Sequence, residues 1–373
     1  MFDLLISYWP HVLATLSIVF GTVAAVHATM TKREVRSAVG WVGVIVLSPL
    51  VGAMIYAVAG INRIRRASLI SRRALRLDEL WRSISSYGVS REVIAAQFGS
   101  EMASLKTLGD RVARHPLSSG NRVNLLGTGE ETYSAICDAI ASAERSVILE
   151  TYIFDRDVIG LMVADCLIAA HKRGVAVRVL IDAVGARYSV PSIIGYLQDA
   201  GVPVAAFNGK VIMGLRLPYA NLRTHRKIVV ADGKTAFIGG MNIRAGFTGP
   251  DGARDTHFRV SGPIVADILA VAAEDWHFET REVLKGPEWR LGLDGAVAGD
   301  PSYARLIVSG PDTHLETNHK MLIGAFSVAQ HSIRIMSPYF LPDAVLISAL
   351  ATAARRGVQV DIVVPSRNNL AIV

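Results

Sequence analysis

The clearest candidates for chemistry lie in the segment NLRTHRKIVVAD, residues 221–232, and in GGMN, residues 239–242. A strand is expected over residues 227–231, and its alternation puts the side chains of His225 and Lys227 on the same face. An imidazole beside an ammonium is a poor pair for stability, because each raises the cost of charging the other. The pair suits a phosphate, since the imidazole can attack phosphorus while the ammonium holds the non-bridging oxygens.

The residues after this pair predict a β-hairpin with a ligand-facing end. Asp232 and Gly233 form a turn into a second strand over residues 235–238. Gly239 and Gly240 then allow close approach of backbone to a ligand, and the amide of Asn242 lies just beyond them. A lone His-x-Lys in a hairpin is usually just solvated, so the interpretation depends on the complete spacing.

That spacing, His-x-Lys-x4-Asp-x6-Gly-Gly-x-Asn, resembles the signature of the phospholipase D superfamily and matches it completely. Residues 31–63 resemble the paired membrane anchor of bacterial cardiolipin synthases, and the segments GPD at 310–312 and SPYFLPD at 337–343 resemble their second half. The resemblance therefore covers essentially the whole chain. Gly240, where the superfamily often has Ser, is usual for the first motif of this branch.

The resemblance implies a role for each matching position. His225 is expected to be one of two catalytic histidines, either the nucleophile or its acid/base partner. Lys227 and Asn242 are expected to bind the phosphate, with Gly240 beside them. Asp232 is expected to be the motif's structural carboxylate.

Asp255 lies 30 residues after His225 and resembles the carboxylate that orients the catalytic imidazole, although an ordinary surface aspartate remains the alternative. The resemblance implies no metal ion and no cofactor. Cys137 and Cys166, the two cysteines, lie in apolar helix-like segments, which excludes a disulfide framework and a cysteine-based zinc site.

The elements that must position these residues follow a strand–helix–strand pattern. Residues 147–153 and 175–181 are rich in β-formers and flank a helical segment at 158–173, which predicts parallel strands in an α/β sheet. The pattern returns near the end, where HSIRIMSPYF at 331–340 matches RSVILETYIF at 145–154 and AARRGV at 353–358 matches AHKRGV at 170–175. An internal duplication with two α/β lobes facing each other is therefore expected, with the site between them.

The N-terminal part predicts a membrane anchor. Residues 4–31 and 37–62 contain no Asp, Glu, Lys or Arg, and about 20 apolar residues suffice to cross a bilayer. We expect a hairpin of two transmembrane helices joined by the turn at 32–36. A cleaved signal peptide is the alternative, but Asp3 and the lack of basic residues at the start disfavour it.

Charge indicates the orientation and the partner. The chain has a net charge of +7, and six arginines follow the second apolar run against three basic residues in the turn. This bias favours a cytoplasmic catalytic part, with the basic run against anionic lipid, although an ordinary solvated helix face would also fit that run. With the two apolar segments, the resemblance implies a multi-pass protein of the bacterial inner membrane. The domains expected are a transmembrane hairpin at 1–62, a basic juxtamembrane connector at 63–120, a first lobe at 121–300 and a partial second lobe at 301–373.

The position of a second motif is the main departure from the resemblance. His225 follows Gly174 by 51 residues, so the repeat would place a second histidine near position 408, beyond residue 373. His314, His319 and His331 lack the Lys and Asp spacing. We therefore expect a second lobe that is incomplete, without the second motif, and little or no activity from these 373 residues alone.

Together the resemblance and the anchor imply an enzyme that makes cardiolipin from two phosphatidylglycerol molecules through a phosphohistidine intermediate. The alternatives are a phospholipase D, a transferase with another acceptor alcohol, or a non-catalytic membrane-bound remnant. A nuclease of the same superfamily fits the positive charge but not the two apolar segments, so we expect an anionic phospholipid substrate and no nucleic acid. The acceptor specificity and the oligomeric state are left open.

Overall fold

The computed structural model describes residues 2–32, 35–61, 87–208, 223–292, 302–310 and 316–366. The described residues fall into two units, an N-terminal unit over 2–61 and a larger unit over 87–366. The arginine-rich run at 63–76, Asn221, Leu222 and His314 lie outside the described residues.

The N-terminal unit consists of apolar helices. Helix α1 covers Phe2–Thr31, α2 covers Val35–Leu47, and α3 covers Pro49–Ile55 and continues as a π-helical turn over Tyr56–Gly60. Within the described residues one helix, over Tyr8–Thr31, is long and apolar enough to cross a membrane. The expected second membrane-crossing helix is not continuous, because the chain leaves helical geometry at Ser48 and the ring of Pro49 cannot extend the preceding helix.

The larger unit contains an eight-stranded mixed sheet in the order β4-β3-β2-β5-β6-β7-β1-β8. The strands β2, β3 and β4 are parallel, and β2 pairs antiparallel with β5, whose hairpin partner is β6. The bounds are β1 Ser118–Leu126, β2 Ser146–Thr151, β3 Ala176–Asp182, β4 Val204–Phe207, β5 Ile228–Ala231, β6 Thr235–Gly239, β7 His257–Ser261 and β8 Ser302–Ala304. The predicted strand–helix–strand unit and the hairpin are both present.

Helices cover both faces of this sheet. On one face α5, α6 and α7 bury a core that includes Val147, Leu149 and Val179. On the other face α8 buries a second core that includes Ile148, Leu180 and Val230. The helix bounds are α4 Arg91–Val112, α5 Gly129–Ala141, α6 Val158–Lys172, α7 Ile193–Asp199 and α8 Ile264–Thr280. Because β2 is buried on both faces, its apolar residues form a continuous run rather than an alternating one.

Within the larger unit, the second copy of the repeat consists of α9 Thr317–Val328, β9 Ser332–Met336, α10 Ala344–Arg355 and β10 Gln359–Val363. The strands β9 and β10 pair in parallel, as β2 and β3 do. Strand β8, within the range assigned to the second lobe, pairs instead with β1 of the first sheet.

One arginine in each copy makes the same contacts, which supports the internal duplication. Arg173 donates to the carbonyl oxygens of residues 140, 141 and 143, at the end of α5, at 3.0, 2.9 and 3.2 Å. Arg356 donates to those of residues 326, 327 and 329, at the end of α9, at 2.8, 2.7 and 3.2 Å. The glycine after each arginine has φ +91°. The repeat visible in the sequence therefore extends to the hydrogen bonds that join the end of one helix to the turn between the next helix and its strand.

Candidate active site

The candidate site lies where four strands of the large sheet meet at one end. In the register of the sheet, Ile228 at the start of β5 is opposite Glu150 near the end of β2 and Ile238 near the end of β6. Gly239 is in turn opposite His257 at the start of β7. Residues distant in sequence therefore converge here, because antiparallel neighbours bring the start of one strand to the end of the next.

His225 and Lys227 meet on the ring of Tyr152, directly after β2. The His225 and Tyr152 ring centroids are 5.2 Å apart, and the Lys227 Nζ lies 5.6 Å from the Tyr152 centroid. The Lys227 ammonium also donates to the His225 carbonyl oxygen at 2.8 Å. The predicted strand begins one residue later than expected, at Ile228, but the two side chains are brought together as the spacing predicted.

The environment of this pair lowers both pKa values. Lys227 is 5% exposed. Burial lowers its pKa to about 8, against the opposing effect of Asp255 and Glu150. Partial desolvation, together with the Lys227 charge, lowers the pKa of His225 below its usual value of 6.5. His225 is therefore a neutral imidazole at pH 7, the form that can attack phosphorus.

Two buried carboxylates fix the loop that carries the pair. The Thr224 backbone N–H donates to the Asp182 carboxylate at 3.1 Å, and the Thr224 hydroxyl donates to Glu150. Glu150 and Asp182 are 1% and 0% exposed, and burial raises the pKa of each carboxyl group. Both acids lie at the carboxyl ends of their strands, so the backbone just before His225 is held against the rigid sheet.

Arginines on either side of His225 complete a cationic segment. Arg223 lies 4.0 Å from Asp182, and Arg226 lies 4.0 Å from Glu150 and pairs also with Asp275. Both guanidinium groups are therefore paired with carboxylates, so they help to hold the segment that contains His225.

The glycine pair lies against the other side of the site. A Cβ added at Gly240 would overlap the Asp255 carboxylate, so the lack of a side chain at Gly240 makes room for that acid. Asn242 accepts a hydrogen bond from the Ile153 N–H at 3.1 Å through its Oδ1, and its role in binding a phosphate oxygen stays a prediction. The Tyr133 hydroxyl donates to the Asn242 carbonyl oxygen at 2.5 Å and fixes the turn.

Asp255 is brought to the site, but beside Lys227 rather than in a hydrogen bond with His225. Its Oδ1 accepts from the Thr256 N–H at 2.6 Å, and its charge opposes the fall in the pKa of Lys227. Across the described residues, no hydrogen bond or ion pair joins Asp255 to His225. Its role in orienting the imidazole stays a prediction.

Asp232 lies at the opposite end of β5 from His225 and Lys227. Its carboxylate accepts hydrogen bonds from the backbone N–H groups of Glu144, Arg145 and Ser146 at 3.0, 2.7 and 2.9 Å. Five residues of strand separate it from Lys227, which is roughly 16 Å. Its geometry is that of a structural carboxylate which holds the turn before β2 onto the hairpin.

The structure adds residues to the site that the sequence reasoning did not select: Tyr152, Glu150, Asp182, Thr224 and His257. His257 is 2% exposed, and burial together with the Lys227 charge lowers its pKa to about 4. It lines a small pocket with Lys227, Glu150, Thr151 and Met241. A visible signal existed for Glu150, since a lone acid in a strand of Val, Ile and Leu must be paired or functional.

Comparisons with known proteins agree with this geometry. The family described as "Cardiolipin synthase, PLD-like domain" matches residues 136–274 and 322–373, and "Phospholipase_D-nuclease N-terminal" matches residues 16–60. The cardiolipin synthase of Alkalihalophilus pseudofirmus is 33% identical over 370 residues, which cover 97% of this chain and 72% of that protein. Cardiolipin synthase A of Pseudomonas fluorescens SBW25 is 34% identical over 377 residues, 98% of this chain and 77% of that protein.

A solved structure shows the same fold. The phosphatidylserine synthase of Haemophilus influenzae Rd KW20 superposes with a TM-score of 0.50 at 16% identity, over 70% of this chain and 65% of that one. Fold and site together define a phospholipase D-like α/β protein. The chain belongs to the cardiolipin synthase family of that superfamily, and its enzyme class is phosphatidyltransferase.

Proposed function

We propose that this chain transfers a phosphatidyl group from one phosphatidylglycerol to another, giving cardiolipin and glycerol, on the cytoplasmic face of a bacterial cell membrane. The observation that carries the proposal is the placement of His225 and Lys227 on one tyrosine ring, within a loop that two buried carboxylates hold. The names of the relatives support cardiolipin as the product.

The geometry supports a covalent mechanism. The neutral His225 imidazole attacks phosphorus, an N–P bond forms, and the bond from phosphorus to the glycerol headgroup oxygen breaks as that oxygen takes a proton. The hydroxyl of a second phosphatidylglycerol then attacks the same phosphorus, loses its proton, and releases the imidazole. Lys227 and the amide of Asn242 hold the non-bridging oxygens, whose charge increases in each transition state.

The lowered pKa of His225 favours its assignment as the nucleophile rather than the proton donor, because a donor must carry its proton at the start of the step. The proton for the leaving glycerol then has to come from a second group. We propose that a second His-x-Lys motif supplies it, either from outside residues 1–373 or from another copy of the chain.

The experiment is a trapping assay in vesicles of phosphatidylglycerol with a radiolabelled phosphate. The protein is quenched in alkali, digested, and searched for labelled phosphate on histidine. The N–P bond of the adduct should be base-stable and acid-labile as a phosphoramidate, whereas the alkali removes the acyl chains. Cardiolipin and free glycerol are followed in parallel, and phosphatidic acid would report transfer to water, the phospholipase D alternative.

The variant that decides the question is His225→Ala, and His331→Ala is its matched control because His331 is exposed and lies in the second copy of the repeat, next to β9. We expect the label on His225, its loss in His225→Ala, and no change in His331→Ala. Lys227→Ala should slow adduct formation by roughly 100- to 1,000-fold, as loss of one preorganised donor to a developing oxyanion does. Adduct and cardiolipin formation that persist in His225→Ala would refute the proposal.

A further inference from the structure

The break at Ser48 reverses the direction of the chain. Ser48 has φ −147° and ψ +82°, between the end of α2 and the start of α3. A Cβ added at Gly52 would lie 2.8 Å from the Ile45 Cα, although seven residues of continuous helix would separate them by about 10 Å. Helix α3 therefore packs back along α2, and the missing side chain of Gly52 allows the two backbones to approach.

The contacts with α1 give the direction of each helix. A Cβ at Gly21 would lie 2.9 Å from the Pro49 Cβ, the His27 Nδ1 lies 2.8 Å from the Tyr56 hydroxyl, and the Lys32 ammonium donates to a carbonyl near the end of the π-turn at 2.5 Å. The partners in these pairs are 28 or 29 residues apart. A constant separation means that α3 runs parallel to α1, while α2 runs antiparallel to both.

The hairpin of α2 and α3 therefore begins and ends beside the carboxyl end of α1. From Lys32 back to Gly21 is eleven residues, or about 16 Å of helix, whereas the hydrocarbon core of a bilayer is about 30 Å thick. Helix α1 continues well past this level, and its apolar segment Tyr8–Thr31 has 24 residues. At about 36 Å that segment can cross a bilayer, but the hairpin reaches only near its middle.

The surface of the hairpin fits hydrocarbon rather than water. At its tip Leu47 is 88% exposed, and Val46 and Met54 are 65% and 63% exposed. The same holds for the part of α1 beyond the hairpin, where Trp9 is 59% exposed. The Ser48 N–H still donates to the carbonyl oxygen four residues earlier at 3.3 Å, which limits the number of backbone groups left unpaired in lipid.

The charges of the chain agree with this arrangement. A hairpin that returns to the same side places Lys32, Arg33 and Arg36 on one face of the membrane together with the arginines that follow residue 62. Two crossing helices would instead divide these nine basic residues between the two faces. Lys and Arg are enriched in the cytoplasmic loops of membrane proteins, and the returning hairpin agrees with this bias.

We infer that α1 crosses the bilayer once and that residues 35–60 form a re-entrant hairpin in the cytoplasmic half of the hydrocarbon, so that the N-terminus and the catalytic unit lie on opposite sides. Its partner is the lipid bilayer itself. The inference extends the proposed membrane location, and it can fail without affecting the proposed chemistry because enzyme activity is not its readout.

The test is cysteine accessibility in intact bacterial cells, with the full chain in a background of Cys137→Ala and Cys166→Ala. Three single cysteines are then introduced at charged positions: Asp3→Cys near the N-terminus, Glu34→Cys in the sequence between α1 and α2, and Glu101→Cys on the exposed side of α4. Each is treated with a membrane-impermeant maleimide before and after the cells are opened.

We expect Asp3→Cys to react in intact cells, and Glu34→Cys and Glu101→Cys to react only in opened cells. Leu47→Cys, at the tip, should resist the reagent in both conditions but react after detergent. If Glu34→Cys reacts from outside while Asp3→Cys and Glu101→Cys do not, both helices cross and the inference is wrong. Reaction of Leu47→Cys in opened cells would equally overturn the inference, because it would place the tip of the hairpin in water. Release of the protein from membranes by carbonate would do the same, because a protein inserted in the bilayer is not released.

Discussion

The carboxylate of Asp232 should contribute to stability and not to chemistry, although it belongs to the signature motif. It accepts three backbone hydrogen bonds, two of them in half-buried surroundings, from residues 144–146. A hydrogen bond to a charged group contributes about 1.5–3 kcal/mol net. The exposed Glu144 N–H can bond water instead, so the estimate counts the two half-buried hydrogen bonds. Removing the carboxylate should therefore lower the free energy of unfolding by about 3–4 kcal/mol.

The backbone of Asp232 adds a second, separable effect. Its φ of +54° lies in the left-handed region, which costs an alanine roughly 1 kcal/mol but suits asparagine and glycine. We therefore expect a total loss of about 4–5 kcal/mol for Asp232→Ala and about 1 kcal/mol less for Asp232→Gly. Asp232→Asn should lose only about 1–2 kcal/mol, because one oxygen can still accept from Arg145 and Ser146.

The assay is denaturant unfolding of the detergent-solubilised chain, with Asp251→Ala as the control because Asp251 is exposed and should change stability by less than about 0.5 kcal/mol. Adduct formation at His225 is measured at a temperature where every variant is folded, and it should be unchanged. The reasoning would be refuted if Asp232→Ala unfolded within 1 kcal/mol of Asp251→Ala, or if a folded Asp232→Asn failed to form the adduct.

Three further predictions test the site and the repeat. His257 has a pKa of about 4 in the folded state and about 6.5 in the unfolded state, so it contributes stability above pH 6.5 that is lost as pH falls toward 4, by up to about 3 kcal/mol. In His257→Phe the free energy of unfolding should therefore depend less on pH between 6.5 and 4. Gly240→Ala should displace the Asp255 carboxylate and reduce adduct formation at least tenfold, while the variant stays folded under the assay conditions. If the loss of adduct formation only follows a loss of folded protein, the effect is misfolding and the prediction is wrong. Arg356→Met should speed amide hydrogen exchange in α9, because three carbonyls at its end lose their donor, and the exposed Arg355→Met should not.

The sequence predictions that the structure confirms are those that depend on local patterns. The β2-α6-β3 unit and the β5–β6 hairpin each depend on residues close in sequence, so alternation and turn residues suffice to predict them. The pairing of β2 with β5 joins residues about 80 apart, and nothing local specifies it. For this reason the sequence alone does not connect Glu150 and Asp182 with the loop that contains His225, even though an acid in an apolar strand indicates a paired or functional residue.

The N-terminal unit shows a different limit. Two uncharged runs of sufficient length predict two crossing helices, because a hydropathy pattern gives the length of an apolar segment but not whether its chain reverses direction. Direction depends on Ser48 and Pro49, where the chain turns, and on Gly52, where the returning helix needs room. A proline in an apolar run is often tolerated within a membrane helix, so the residue type alone could not distinguish a kink from a reversal.

The two copies of the repeat share their framework and differ at the site. Arg173 and Arg356 bind equivalent carbonyls, yet the position of Glu150 in the first copy corresponds to Met336 in the second. Glu150 is fully buried and holds the catalytic loop, whereas Met336 is 67% exposed. The framework thus repeats because helix and strand must pack in the same way in both copies, whereas the acid that holds the segment before His225 occurs at this position in the first copy and not in the second.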